Sequence, residues 1–320
     1  MDDKFISSVK KQFCEHCLGI RELSLHIHEL ALFCDFLDNK VDVFKFIKGE
    51  VVSEGSASSA DIAKWLTLAS QLKSVDLNPY KYIDSHFYCE PMVEELDSDA
   101  SHKSDIITPL TRFIFIANAL EEIYRFSSSL FEEKYERFEG EDKPRNYSMK
   151  SDWLIKHVYP RELLPKYYYN LVNDMKVLLS DFKVLFDIDA ELMGDASLSL
   201  GLSMVRNIRN QIAHGKFPIV EDPEYGCEYF NPKSKRMILS VLDNTSRLAL
   251  FNIQIILGIT NTGFQSDKYL MLGDDPDCGN YLKGECKLEY LRTLHLKQSF
   301  GLNELSQTEL RNHFLGNISS

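Results

Sequence analysis

Positive charge is in the minority in this chain. Thirty-six Lys and Arg stand against 48 Asp and Glu, a formal net charge of −12 over 320 residues. That balance argues against broad, nonspecific binding to nucleic acid and confines any RNA contact to a small basic cleft. Long apolar runs are missing too: none reaches the roughly 18 residues that a membrane span needs. The opening MDDKFISSVKKQF has no extended apolar core, so no secretory signal is expected. The seven cysteines are odd in number and form no dense framework, which suits a reducing cytoplasm. Cys14 and Cys17 make one C-x-x-C, with His16, His26 and His28 nearby. A structural zinc site usually takes two such pairs, and the other close pair, Cys278 and Cys286, has an unusual spacing. Buried thiols and no metal are the expectation.

What is present is an ordinary globular composition, 44% hydrophobic and 26% charged, with 20 Phe and 15 Tyr to furnish a core. The length allows two domains or one large one. Residues 1–48 carry helical patterns, Phe5, Val9 and Phe13, then Leu23, Ile27, Leu30, Ala31 and Cys34. The Gly- and Ser-rich stretch from Lys48 to Asp61 reads as a loop, and Asp61 to Lys73 as a helix burying Ile62, Trp65, Leu66 and Ala69. Asp97 to Asp105 is polar and weakly patterned and reads as a domain boundary. A long helix follows, with Thr108 as cap, Pro109 at its first position, and Phe113, Ile116, Ala117, Leu120, Ile123 and Tyr124 on one broad face. Asn118 and Glu121 border that face. After a turn at 139–148 the spacing predicts a helical stretch from Ser151 to Phe186, broken near Pro160 and Pro165. Lys166 with Tyr167, Tyr168 and Tyr169 offers base stacking beside a cation, although aromatics at such spacing are more often core and rim residues. Val220 to Arg236 reads as a loop and Met237 to Ile259 as a helix. Asp274, Asp275 and Asp277 read as a solvated loop, and Leu288 to Phe314 as a last helix.

The richest stretch is Gly201 to Val220, GLSMVRNIRNQIAHGKFPIV. Val205, Ile208 and Ile212 fall within about 60° of one another at 100° per residue, with Leu202 at the edge, an apolar stripe for a core. Arg206, Asn210 and His214 recur every four residues as a polar stripe beside it. Arg209 sits on the wheel between Leu202 and Val205, where a guanidinium needs a carboxylate or another acceptor. Glu121 is the favoured partner and Asn118 the runner-up. Gly215 supplies a positive-φ helix end and Pro218 stops continuation.

Arg209-Asn210-Gln211-Ile212-Ala213-His214, followed by Gly215, resembles the Arg-Asn-three residues-His motif of the HEPN superfamily. The run Ile116-Ala117-Asn118-Ala119-Leu120-Glu121 is similar to the first helix of abortive-infection-type HEPN proteins. The order of long helix, long helix, motif helix, loop and long helix over 106–262 matches that bundle. The resemblance covers about half of the chain and implies a mainly α fold. Residues 1–105 form an additional, mostly helical region placed where a sensor would sit, and 263–320 a helical C-terminal extension. It further implies a cytoplasmic, metal-independent endoribonuclease acting as a homodimer, with the active site at the interface, in phage defence or a toxin system held by an antitoxin or another regulatory partner. Arg209, His214, Asn210 and Glu121 would be its catalytic residues, and Arg206 and Lys216 would widen the RNA-binding patch. The competing reading is a HEPN dimer that binds RNA, a nucleotide or a protein without cleaving. A third makes the motif structural, in a helical scaffold. Leu310 to Phe314 faintly repeats the Arg-Asn pattern, but Gly316 stands where a His is expected after Arg311.

Overall fold

The structure is a computed structural model and describes residues 20–47, 50–82, 90–135, 143–181, 198–219, 232–260, 269–273, 281–285, 288–296 and 303–305. It is mainly helical. Helix α1 (Leu23–Leu37) leads into an antiparallel hairpin, β1 (Lys40–Ile47) and β2 (Glu50–Ser58), and then α2 (Ser59–Gln71). Next come α3 (Glu90–Tyr135), α4 (Tyr147–His157), a 3₁₀ turn (Arg161–Leu163), α5 (Tyr168–Asp181), α6 (Leu200–Ala213) and α7 (Pro232–Thr260). Strands β3 (Tyr269–Gly273), β4 (Tyr281–Glu285) and β5 (Asn303–Leu305) form an antiparallel sheet, with the short α8 (Leu288–Thr293) between the last two. Among the described residues no helix is long and apolar enough to cross a membrane.

Helix α7 is the hub, touching α1, α3, α4, α5, α6 and α8. Its middle is apolar on every side, which is how a fully enclosed helix reads: Leu248, Leu250, Ile253, Ile255, Ile256 and Leu257 are all fully buried. Two of the polar residues on this helix turn back on it, while Gln254 reaches across to His26. Thr245 donates to the Val241 carbonyl at 2.5 Å, and the Asn252 amide to the Leu248 carbonyl at 2.7 Å.

Five expectations are corrected. The Ser- and Gly-rich stretch after residue 48 is not a loop but strand β2, paired with β1 and bulged between Asp42 and Phe44. Small residues suit a strand whose partner supplies the bulk, and Val43 and Ala57 turn inward. Helix α2 starts two residues early, because the Ser58 hydroxyl accepts the Asp61 N–H at 3.1 Å and donates to its carboxylate at 2.7 Å, a reciprocal cap. The polar stretch 97–105 lies within the first half of α3 and is not a break. Pro109 lies inside that helix, and Thr108, instead of capping, donates to the Ser104 carbonyl at 2.8 Å and accepts the Val75 N–H at 2.9 Å. The hydrophobic core is continuous from α1 to α8 across it. Lastly, the C-terminal extension is not one helix, since α8 stops at Thr293 and the described parts around it are strands.

Within the described residues 151–181 the interrupted helical stretch takes the form expected, with α4 and α5 separated at Pro160 and Pro165. The apolar face of α3 is buried residue by residue as read, from Phe113 to Tyr124. Cys14, Cys17, His16, Cys278, Cys286, Asp274, Asp275, Asp277 and Arg311 lie outside the described residues.

Candidate functional site

Helix α6 buries Leu202, Met204, Val205, Ile208 and Gln211 and leaves Ile212 half-buried. Its first turn is clamped. Gly201 lies against Tyr168, whose hydroxyl donates to the Leu198 carbonyl at 2.9 Å. The last turn emerges from the core. Leu202 and Arg209, seven residues apart and therefore within about 20° on the wheel, meet opposite fates, buried and exposed. Arg209 stands at the edge of the apolar face, as its azimuth beside Leu202 requires, and its side chain is exposed although Ile208 and Gln211 on either side of it are buried.

The helix closes as Gly215 required. Gly215 has φ of +66°. Its N–H donates to the Ile212 carbonyl at 3.1 Å, and the Lys216 N–H to the Gln211 carbonyl at 2.8 Å, the paired bonds of a Schellman end. The Phe217 N–H reaches the same Gln211 carbonyl at 3.2 Å, and its ring is buried. His214 is the residue on which the chain leaves the helix. Its N–H still donates to the Asn210 carbonyl at 3.0 Å, while its side chain stands in solvent.

Arg209 does find a carboxylate. Its Nη2 lies 3.2 Å from Oε1 of Glu121 on α3, with the two side chains 44% and 46% exposed. Pairs that open contribute about 0–1 kcal/mol. The other nitrogen, Nη1, touches the Asn210 side-chain oxygen at 3.5 Å. Among the described residues, no ion pair or side-chain hydrogen bond engages Arg206, His214 or Lys216. The geometry thus joins Glu121, Arg209 and Asn210. It leaves His214 and two cations open along the same helix and its end.

Beneath the pair lies Tyr124, one turn along α3 from Glu121. Burial pushes its hydroxyl pKa well up, the Glu121 charge adds to that, and Arg206 and Arg209 oppose it. Tyr124 was legible in the sequence only as core. Gln211 was missed altogether: it is buried, and its amide donates to Asn207 at 2.8 Å. The pairing of an amide with another one turn earlier was the signal available for it.

The aromatic run does not form a stacking platform. Tyr168 is enclosed under Gly201, and Lys166 sits over the Tyr167 ring at 5.1 Å. Only Tyr169 presents a broad exposed face, at 46%. His26 is likewise unavailable as a metal ligand, being buried with Nε2 3.1 Å from the Gln254 side-chain oxygen.

No family model, curated protein or solved structure matches this chain.

Proposed function

We propose that the protein is a metal-independent endoribonuclease of the HEPN type, working as a homodimer in the cytoplasm in phage defence or a toxin system. The observation that carries the reading is the Glu121–Arg209 contact at 3.2 Å. It joins the Ala-Leu-Glu helix to the Arg-Asn-x-x-x-His turn, the two points on which the resemblance rests.

In this reading RNA brings its own nucleophile. The 2′-oxygen attacks phosphorus as its proton is removed, the bond to the 5′-oxygen breaks, and that oxygen leaves protonated. The products are a 2′,3′-cyclic phosphate and a 5′-hydroxyl. His214 exchanges the proton as general acid and base. Arg209 holds the phosphoryl oxygens through its fork, and Asn210 orients the phosphate or the imidazole. A two-fold axis near α6 would supply a second His and a second Arg, giving an acid and a base on opposite sides of the bond. Arg206 and Lys216, both unengaged, extend the positive edge for RNA.

The test is RNA cleavage in EDTA by wild type, Arg209→Ala and His214→Ala, matched for folding by circular dichroism. Cleavage that persists in EDTA, leaves cyclic-phosphate ends and disappears in both variants is the expected result. A folded dimer that binds RNA and cuts none would favour the alternative, a HEPN-like binding module. The net charge of −12 leans toward that alternative.

A further inference from the structure

The Glu121–Arg209 pair has the character of a latch. Arg209 is the motif's phosphate-holding group, yet its Nη2 is occupied by a carboxylate of the same chain. Both partners are nearly half exposed, so the pair is weak and reversible. Arg206, one turn earlier on α6 and acting on the same buried Tyr124, has no partner among the described residues. The site therefore holds one open guanidinium and one engaged one. A phosphate can land on Arg206, His214 or Lys216 without breaking anything. To recruit Arg209 it must displace Glu121, and the carboxylate repels it as it approaches.

We propose that Glu121 is a built-in competitor for the phosphate, restraining Arg209 until a polyanion displaces it, rather than a group that takes part in the chemistry. The ligand class follows from the arrangement. A single small anion is satisfied by the open cations, whereas a strand carrying consecutive phosphates can hold them and Arg209 together, so the restraint selects for oligonucleotides. This inference rests on the phosphate-binding role assigned to Arg209 above, but not on cleavage.

The experiment measures binding of a short 2′-O-methyl oligoribonucleotide, which lacks a free nucleophile, to the full chain. Wild type, Glu121→Gln, Arg209→Ala and the double variant are compared, with folding checked by thermal melting. Losing an exposed pair corresponds to a gain in affinity of up to about fivefold. The expected result is tighter binding by Glu121→Gln and no such gain when Arg209 is already Ala. Equal or weaker binding by Glu121→Gln, or no binding by any form, overturns the latch. So does the same gain in the Arg209→Ala background, which would show only general repulsion. Cleavage of ordinary RNA is read separately. Tighter binding without any cleavage would remove the nuclease and leave the latch. Cleavage abolished in Glu121→Gln with no gain in affinity would do the reverse, making Glu121 part of the chemistry.

Discussion

Gly201 lies so close to Tyr168 that a Cβ built on it would stand 2.6 Å from the phenolic oxygen and 3.1 Å from the ring carbon that bears it. The ring cannot retreat easily, because it is fully enclosed and its hydroxyl is fixed to the Leu198 carbonyl. Gly201 is thus the point at which α6 is seated against α5.

Replacing Gly201 with Ala is expected to destabilise the fold by about 1–3 kcal/mol, the usual consequence of forcing an extra methyl into a packed interior. The gain in helix propensity, up to about 1 kcal/mol, offsets only part of that. Adding Tyr168→Phe removes the atom at 2.6 Å and should recover part of the loss. Thermal unfolding of the single and double variants measures the coupling. Strict additivity would show that the ring moves aside freely.

Gly215 presents the opposite case. A Cβ there meets nothing within 4 Å, so the whole effect of Gly215→Ala is the backbone's. Holding a non-glycine residue at a left-handed φ of +66° is expected to cost about 1–2 kcal/mol, and Gly215→Asn less. Urea titration tests the ranking. Gly215→Ala should also lower any activity carried by His214 beyond what its stability loss explains, since the Schellman bonds set where the chain leaves α6.

A buried histidine pair ties the beginning of the described chain to its end. His26 on α1 donates from Nε2 to the Gln254 side-chain oxygen across 3.1 Å, and His295 beyond α8 donates from Nε2 to the Lys166 carbonyl at 2.8 Å, with its other nitrogen buried and without a hydrogen-bond partner among the described residues. Arg21, ion-paired to buried Glu29, and Arg247 surround them. Burial is the main reason that His295 is pulled down to about 3 and His26 well below its ordinary value, with the nearby Arg charges acting the same way. Both rings are therefore neutral when folded, while in the unfolded chain they take up protons below about pH 6.5. Stability is full above that pH and falls as the pH drops toward the folded values. The slope reaches about 1.4 kcal/mol per pH unit for each His. Unfolding free energies measured at pH 7.5 and 5.5 should differ accordingly, and His295→Gln should flatten the difference.

The features that failed to show in the sequence share a physical cause. Periodicity exposed helices with a clear apolar stripe, as with Ile62, Leu66 and Ala69 on α2 or Phe113 to Tyr124 on α3. It could not reveal the hairpin, because Ser53, Ser56 and Ser58 resemble loop residues until β1 lies beside them. Nor could it show that 97–105 is helical, since there α3 presents polar residues and its continuity is fixed by contacts from the 72–80 segment. At the candidate site, the need of Arg209 for a carboxylate was readable from its charge and azimuth. Its exposure was not, because Arg209 lies at the edge of the stripe, where an azimuth alone does not say whether the neighbouring helix covers it.

Helix α3 is one rod of 46 residues. Along it stand Thr108 and Arg112, which hold the segment following α2, and Glu121, which meets α6. A rod of this kind counts residues. Inserting one between Arg112 and Glu121 would swing the carboxylate by about 100° and shift it about 1.5 Å along the axis, away from Arg209. A pair of whole turns, about seven residues, would return it to within about 20° but displace it by about 10 Å. Variation in the length of this protein is therefore expected to collect in its connections. The interval from Arg112 to Glu121 should be inherited at fixed length, whatever happens to the side chains between them.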